Sequence, residues 1–137
     1  MVSQSARARY APTVLRIGLA ALFLWFGFSQ FFDPGSWMSW VPAWAPAFSG
    51  MSVYNIVIFN GAFEIIAGAA LAFGALTRWI ALLLALHMLI ITVEIGMTPI
   101  GVRDFAITMS TLALALFGSD DLTADRVLCA RRSEETV

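Results

Sequence analysis

Lysine is absent from this 137-residue chain, and charge of either sign is scarce, at 12% of residues. Soluble domains are about a quarter charged and about half apolar, whereas 60% of this chain is hydrophobic. An ordinary soluble domain is excluded, and the class is that of a membrane protein. No basic stripe exists, so nucleic acid is excluded as a partner. A single cysteine, Cys129, rules out an internal disulfide and a CxxC pair, and with them a thiol–disulfide enzyme working alone. A single histidine, His87, is too few for a haem held by two histidines, and zinc takes three or four ligands. There is no HExxH, no phosphate loop and no serine nucleophile with a triad. The chain is therefore expected to hold no metal and no intrinsic cofactor, and its catalytic residues stay unassigned.

Against these absences stand four long apolar runs: Thr13–Phe32, Val53–Leu76, Trp79–Thr98 and Ile100–Gly118. At a rise of about 1.5 Å per residue each crosses a hydrocarbon core of roughly 30 Å. Lipid offers the backbone no hydrogen bonds, so helices are expected, and the runs lack the period-two alternation of a barrel. The first run is longer than a signal-peptide core and has no nearby cleavage site, so it reads as a retained transmembrane helix. The fold expected is all-α, a four-helix transmembrane bundle running up-down-up-down. Residues 1–12 form a cytoplasmic segment, residues 13–118 the transmembrane domain, and residues 119–137 a polar cytoplasmic tail. Within that tail "SDDLTADR" suits a short helix start, and residues 133–137 are expected to be disordered.

Arginine distribution orients the bundle. Arg7, Arg9, Arg16, Arg78, Arg126, Arg131 and Arg132 fall on one side and Arg103 alone on the other, which places both termini in the cytoplasm. Arg16 is expected to snorkel to the cytoplasmic face. The long external loop between the first two spans, "FDPGSWMSWVPAWAPAFSG", carries Trp37, Trp40 and Trp44. Asp33-Pro34 marks a helix start there and Pro42 its end. Two readings of the tryptophans stand: an aromatic belt at the outer interface, or a lid over a cavity between the helices.

Polar groups inside spans are costly, about 2.5–3.5 kcal/mol at a helix centre on insertion scales, and mark function. In "FNGAFEIIAG", Asn60 and Glu64 interrupt an apolar run. Counted from the outer helix ends, Glu64 and His87 both lie about 16 Å deep, near the midplane, and Asn60 sits one turn above Glu64 on the same face. These three residues form a candidate intramembrane ligand or proton site. The alternative is a hydrogen-bonded pair that only holds two helices together. Gln30, Glu94, Arg103 and Asp104 form a candidate outer polar network, with Glu94–Arg103 expected as an ion pair. Thr108 and Thr111 follow Asp104 on one face. Gly61, Gly68, Ala72 and Gly74 are small residues that allow close helix packing.

Several stretches carry a resemblance: "LRIGLAALFLWFGFSQFFDP", "NGAFEIIAGAALAFGALTRWIALLLALHM" and "VRDFAITMSTLALALFG". With Trp25-x-Gly27, Gly61-x-x-Glu64, the Thr77-Arg78 turn and Arg103-Asp104 in this order, the chain from Leu15 to Gly118 resembles the DoxX family of small four-helix membrane proteins. The resemblance implies a bundle in the cytoplasmic membrane. Some relatives are linked to thiosulfate:quinone oxidoreductase as a quinone-side subunit, and others to membrane complexes handling redox stress. Relatives often carry a lysine about where Gln30 stands, so this chain departs from the pattern there. The function expected is a quinone-interacting or membrane-anchoring subunit of an oxidoreductase complex, with redox subunits, lipid and further copies of the chain as partners. The alternatives are a structural or assembly subunit without chemistry, and a small-solute carrier acting as an oligomer.

Overall fold

The computed structural model describes residues 6–120, 123 and 124, with the backbone alone for residues 6–9. Six helices occur among them: α1 Ala6–Phe32, α2 Gly35–Met38, α3 Ala45–Ser49, α4 Val53–Phe73, α5 Thr77–Ile95 and α6 Pro99–Phe117. Four of these, α1, α4, α5 and α6, are long and apolar enough to cross a membrane. No strand occurs among the described residues.

The helix ends follow from local chemistry. α1 starts upstream of the expected Thr13, because the ARARYA stretch continues the helix ahead of the apolar run and accommodates Pro12. It stops before Pro34, as the residue preceding a proline is pushed out of the helical region. The Asp33 carboxylate then accepts from the backbone N–H and hydroxyl of Ser36, which starts α2. α4 begins where the Ser52 hydroxyl accepts from the Asn55 N–H at 3.2 Å, a cap that satisfies one otherwise unpaired helical donor. It ends at Phe73, three residues before the expected Leu76, with Gly74 as its cap. Gly74 takes the left-handed conformation, φ +68, and the Ala75 N–H reaches back to the Ala70 carbonyl at 2.9 Å, the long bond of a Schellman cap. α5 therefore starts at Thr77, two residues earlier than expected, and α6 opens on a Thr98 cap with Pro99 at its first position.

α1 and α4 pack antiparallel, as their pairings show. On α1 and α4, Gly27 faces Gly61 and Gly68 faces Ala20 and Leu24. A Cβ on Gly27 would lie 2.7 Å from the Gly61 carbonyl oxygen, and one on Gly61 would lie 2.9 Å from the Gly27 oxygen. Without lipid-versus-water hydrophobic drive between spans, such close backbone approach supplies the packing. α5 and α6 meet through Thr92 and Thr108, whose hydroxyls are 3.2 Å apart. The α1–α4 and α5–α6 pairs join through α4 with α5 and α1 with α6.

The half of the bundle near the termini is filled by Leu19, Phe23, Leu71, Ala81, Leu84 and Leu114. The outer surface is apolar as well, with Val14, Phe73, Trp79, Val93 and Leu116 all exposed, as a lipid-facing shell requires. Arg16 departs from expectation. It does not reach outward but is 2% exposed. Its Nε donates to Asp120 at 2.8 Å, and one terminal nitrogen donates to the carbonyls of Leu71 and Ala72 at 2.7 Å each. The last turn of a helix leaves carbonyls short of internal partners, and these two belong to the end of α4, so the guanidinium caps them, Leu71 also accepting from the Gly74 N–H at 3.0 Å. Asp120 and Thr123, beyond α6, are therefore buried in the bundle, and the Thr123 backbone would meet a Cβ on Gly74 at 2.7 Å. Cys129, Arg126, Arg131, Arg132, residues 133–137 and half of the "SDDLTADR" stretch lie outside the described residues.

Candidate functional site

Glu64 is the hub of a buried polar cluster drawn from three helices. α4 supplies Glu64 and Asn60, one turn apart. The Asn60 amide nitrogen donates to Glu64 Oε1 at 3.2 Å and to Gln30 Oε1 of α1 at 2.9 Å. The Gln30 amide nitrogen donates to Glu64 Oε2 at 2.7 Å. From α5, His87 Nε2 lies 3.3 Å from Glu64 Oε1, and its ring meets that of Phe63 edge-on at 5.0 Å. Glu64 and Gln30 are each 3% exposed. A carboxylate buried this far costs several kcal/mol unless it is paired and hydrogen-bonded, and here both oxygens are engaged.

Asn60, Glu64 and His87 meet as the depth count anticipates. Gln30 joins them instead of an outer network. The count took all spans to end in one plane, but α1 ends lower than α4 begins, the difference being spanned by α2 and α3. The expected Glu94–Arg103 ion pair is not formed. Arg103 pairs with its neighbour Asp104, Nε to Oδ1 at 2.8 Å, and its guanidinium carbon lies 5.8 Å from the centre of the Phe26 ring. Glu94 faces the other way and accepts from the Trp44 indole at 2.8 Å. A helix places adjacent residues about 100° apart, so α6 turns Asp104 inward, 3% exposed, while Arg103 stays at the rim. The Thr108 hydroxyl donates to the Asp104 carbonyl at 2.9 Å, and Thr111 donates to Ile107 at 2.7 Å.

A cavity of about 380 Å³ opens between the four long helices at the loop end. Gln30, Asn60 and Glu64 form a polar face, Arg103 and Asp104 another. The rest is apolar: Trp25 and Phe26 of α1, Ile56 and Val57 of α4, Met88, Ile91 and Ile95 of α5, and Ile100 of α6. Trp37, Trp40, Val41 and Pro42 cover it from the loop. His87 stands behind Glu64 and is not part of the wall. Of the three loop tryptophans, then, two contribute to the cavity and Trp44 does not. The apolar wall residues had no separate signal in the sequence, since an aliphatic side chain that lines a cavity reads like one that packs a core. An apolar pocket with a few convergent polar groups is the usual form of a small-molecule site, and roughly 300–1,000 Å³ is the usual size. Among the described residues no group of three or more His, Cys, Asp or Glu is placed to hold a metal ion.

The profile of the DoxX family matches residues 11–97. The chain belongs to the DoxX family. Searches among curated proteins and among solved structures found no match. The matched stretch contains all four members of the Glu64 cluster and the whole loop that covers the cavity. It stops short of α6, so Arg103 and Asp104, read from the sequence as part of the same resemblance, lie outside the family match. This DoxX protein is thus a multi-pass membrane protein with four apolar helices, built around a covered cavity with a carboxylate in one wall.

Proposed function

We propose that this DoxX protein is the quinone-interacting subunit of a membrane oxidoreductase, seated in the inner cell membrane with both termini cytoplasmic. The observation that carries the proposal is the cavity itself: an apolar chamber of about 380 Å³ whose polar lining is Glu64, Gln30 and Asn60 from α1 and α4 and Arg103 and Asp104 from α6. A quinone head group is a flat ring with polar atoms at opposite ends, and its tail is a hydrocarbon. Trp25, Phe26 and Trp37 offer ring faces to it, and the polar residues offer hydrogen bonds at the ring oxygens. The bound quinone would supply two-electron redox chemistry, with the electrons coming from a partner subunit. The chain's own residues bind and orient the head group, exclude water from it, and hold a proton route through Glu64 to His87. The arginine bias of seven to one supports the orientation, which reporter fusions at each terminus test.

In lipid nanodiscs, a quinone at a hundredfold excess over its Kd should stabilise the protein by about 2.7 kcal/mol, read as a rise in the unfolding midpoint. Glu64→Gln should lessen the rise. No shift for wild type refutes the proposal.

The second reading is a structural or assembly subunit, favoured by one observation: the Glu64 cluster ties α1, α4 and α5 together. It predicts that Glu64→Gln and His87→Ala lower partner activity only in proportion to lost folded protein. An oligomeric carrier is the weaker alternative, because the packed core of Phe23, Leu71, Leu84 and Leu114 lies between the cavity and the terminal end.

A further inference from the structure

Each polar group facing the cavity is a donor or an acceptor, and the hydrogen bonds already made decide which capacity is left for a ligand. Asn60 spends both amide hydrogens, one on Gln30 and one on Glu64. Its carbonyl oxygen has no partner among the described residues. Gln30 uses its oxygen to accept from Asn60 and one of its two amide hydrogens on Glu64. Glu64 Oε1 accepts from Asn60 and His87, while Oε2 accepts only from Gln30, so Oε2 keeps a lone pair. Asp104, on α6, also lines the cavity and is 3% exposed. Its Oδ1 accepts from Arg103, and its Oδ2 has no partner among the described residues. The amide orientations are not arbitrary. Gln30 and Asn60 both turn their nitrogens toward the Glu64 oxygens, which accept. Apart from Arg103 and the indole N–H groups of Trp25, Trp37 and Trp40, which also line the cavity, its polar side chains are left with three free acceptors (Asn60 Oδ1, Glu64 Oε2 and Asp104 Oδ2) against one free donor, the second Gln30 N–H. Arg103 adds donors only at the rim.

We infer that this cavity binds the dihydroxy, reduced form of its ring ligand in preference to the dicarbonyl form, with Glu64 and Asp104 accepting from the ligand hydroxyls. The inference rests on the quinone reading above and sharpens it. The two forms of such a ring differ by two electrons and two protons, and they present opposite hydrogen-bonding character. Each hydroxyl of the hydroquinone donates. Each carbonyl of the quinone only accepts, and against a carboxylate it leaves two acceptors facing one another away from water. The preference has a functional consequence. If the reduced form binds tenfold tighter, the bound couple's potential rises by about 30 mV for two electrons, which makes the bound quinone a better electron acceptor.

The test uses the full chain in lipid nanodiscs, with the tail-less dimethoxy-methyl-benzoquinone head group as probe. The oxidised probe and its hydroquinone, kept reduced by dithionite, are titrated separately. Thermal unfolding and tryptophan fluorescence give the half-saturating concentrations, with dithionite alone as control. The expected result is at least tenfold tighter binding of the hydroquinone. Asp104→Asn turns an acceptor into an amide that also donates, and the preference should drop below about threefold. Glu64→Gln is the second variant, with the same expectation, so misfolding of either leaves the other informative. Equal binding of both forms, or tighter binding of the oxidised form, overturns the inference and leaves the quinone reading standing. Binding of neither form overturns both. A tenfold preference unchanged in both variants overturns the assignment to these carboxylates.

Discussion

The Arg16–Asp120 pair offers the sharpest test of how the terminal end of the bundle is held. Their side chains are 2% and 1% exposed, and removing one member of such a buried pair costs about 3–5 kcal/mol, because the other charge is left without compensation. The two ends of the pair are not equivalent. After Asp120→Ala the guanidinium still donates to the Leu71 and Ala72 carbonyls and still faces the negative end of the α4 dipole, so the loss should fall near the lower limit, about 3 kcal/mol. After Arg16→Met Asp120 loses the guanidinium, and the Ala72 carbonyl loses its donor as well. An orphaned buried polar group costs about 1–3 kcal/mol, so Arg16→Met should be the more damaging change by roughly 2 kcal/mol. The double variant removes both members of the pair, and it should be more stable than the sum of the single losses predicts, with a coupling of about 2–3 kcal/mol. Reversible unfolding of all four proteins in mixed micelles measures the cycle. A coupling below about 0.5 kcal/mol, or Asp120→Ala costing more than Arg16→Met, would refute the view that the arginine is a cap for α4 held in place by the segment after α6.

Three further outcomes follow from the same geometry. Gly27→Ala should destabilise by about 1–3 kcal/mol, because its methyl would lie 2.7 Å from the Gly61 oxygen, whereas Gly18→Ala, with nothing within 4 Å, should be neutral or stabilising in the same unfolding assay. Leu76→Gly should stabilise by about 0.5 kcal/mol, since Leu76 holds φ +48 at a strain of about 1–2 kcal/mol, partly offset by the backbone entropy of glycine; a loss of stability counts against strain at that turn. Trp44→Phe should remove one exposed hydrogen bond to Glu94, cost less than about 1 kcal/mol, and leave ligand affinity at the cavity unchanged, whereas Trp37→Ala should weaken it.

The meeting of Glu64 with His87 was readable from the sequence because α4 and α5 share a turn of only three residues, Gly74–Leu76. So short a turn fixes the register of the two helices, and residues at equal distance from it come level. Neither Gln30 nor Arg16 had that help. The link between α1 and α4 runs for twenty residues and contains α2 and α3, so the length of the connection left the relative height of the two helices open. What sets that height is the seam itself. Gly27 and Gly61 allow backbone contact at one level only, and moving α1 by a single turn would carry Gln30 about 5.4 Å from Glu64. Gly61 contributes a second time, because a Cβ there would stand 3.1 Å from the Gln30 Cβ, in the path by which that side chain reaches the carboxylate. The two loose motifs, Trp25-x-Gly27 and Gly61-x-x-Glu64, are thus the two halves of one joint. The glycines choose the register, and the register brings the amide to the acid. For Arg16 the deciding partner stands 104 residues away at Asp120, after the last apolar run, where a polar segment reads as tail. A lone arginine near a helix end has a membrane face available to it, and only a carboxylate brought back from beyond α6 together with two carbonyls at the end of α4 makes the interior the better place.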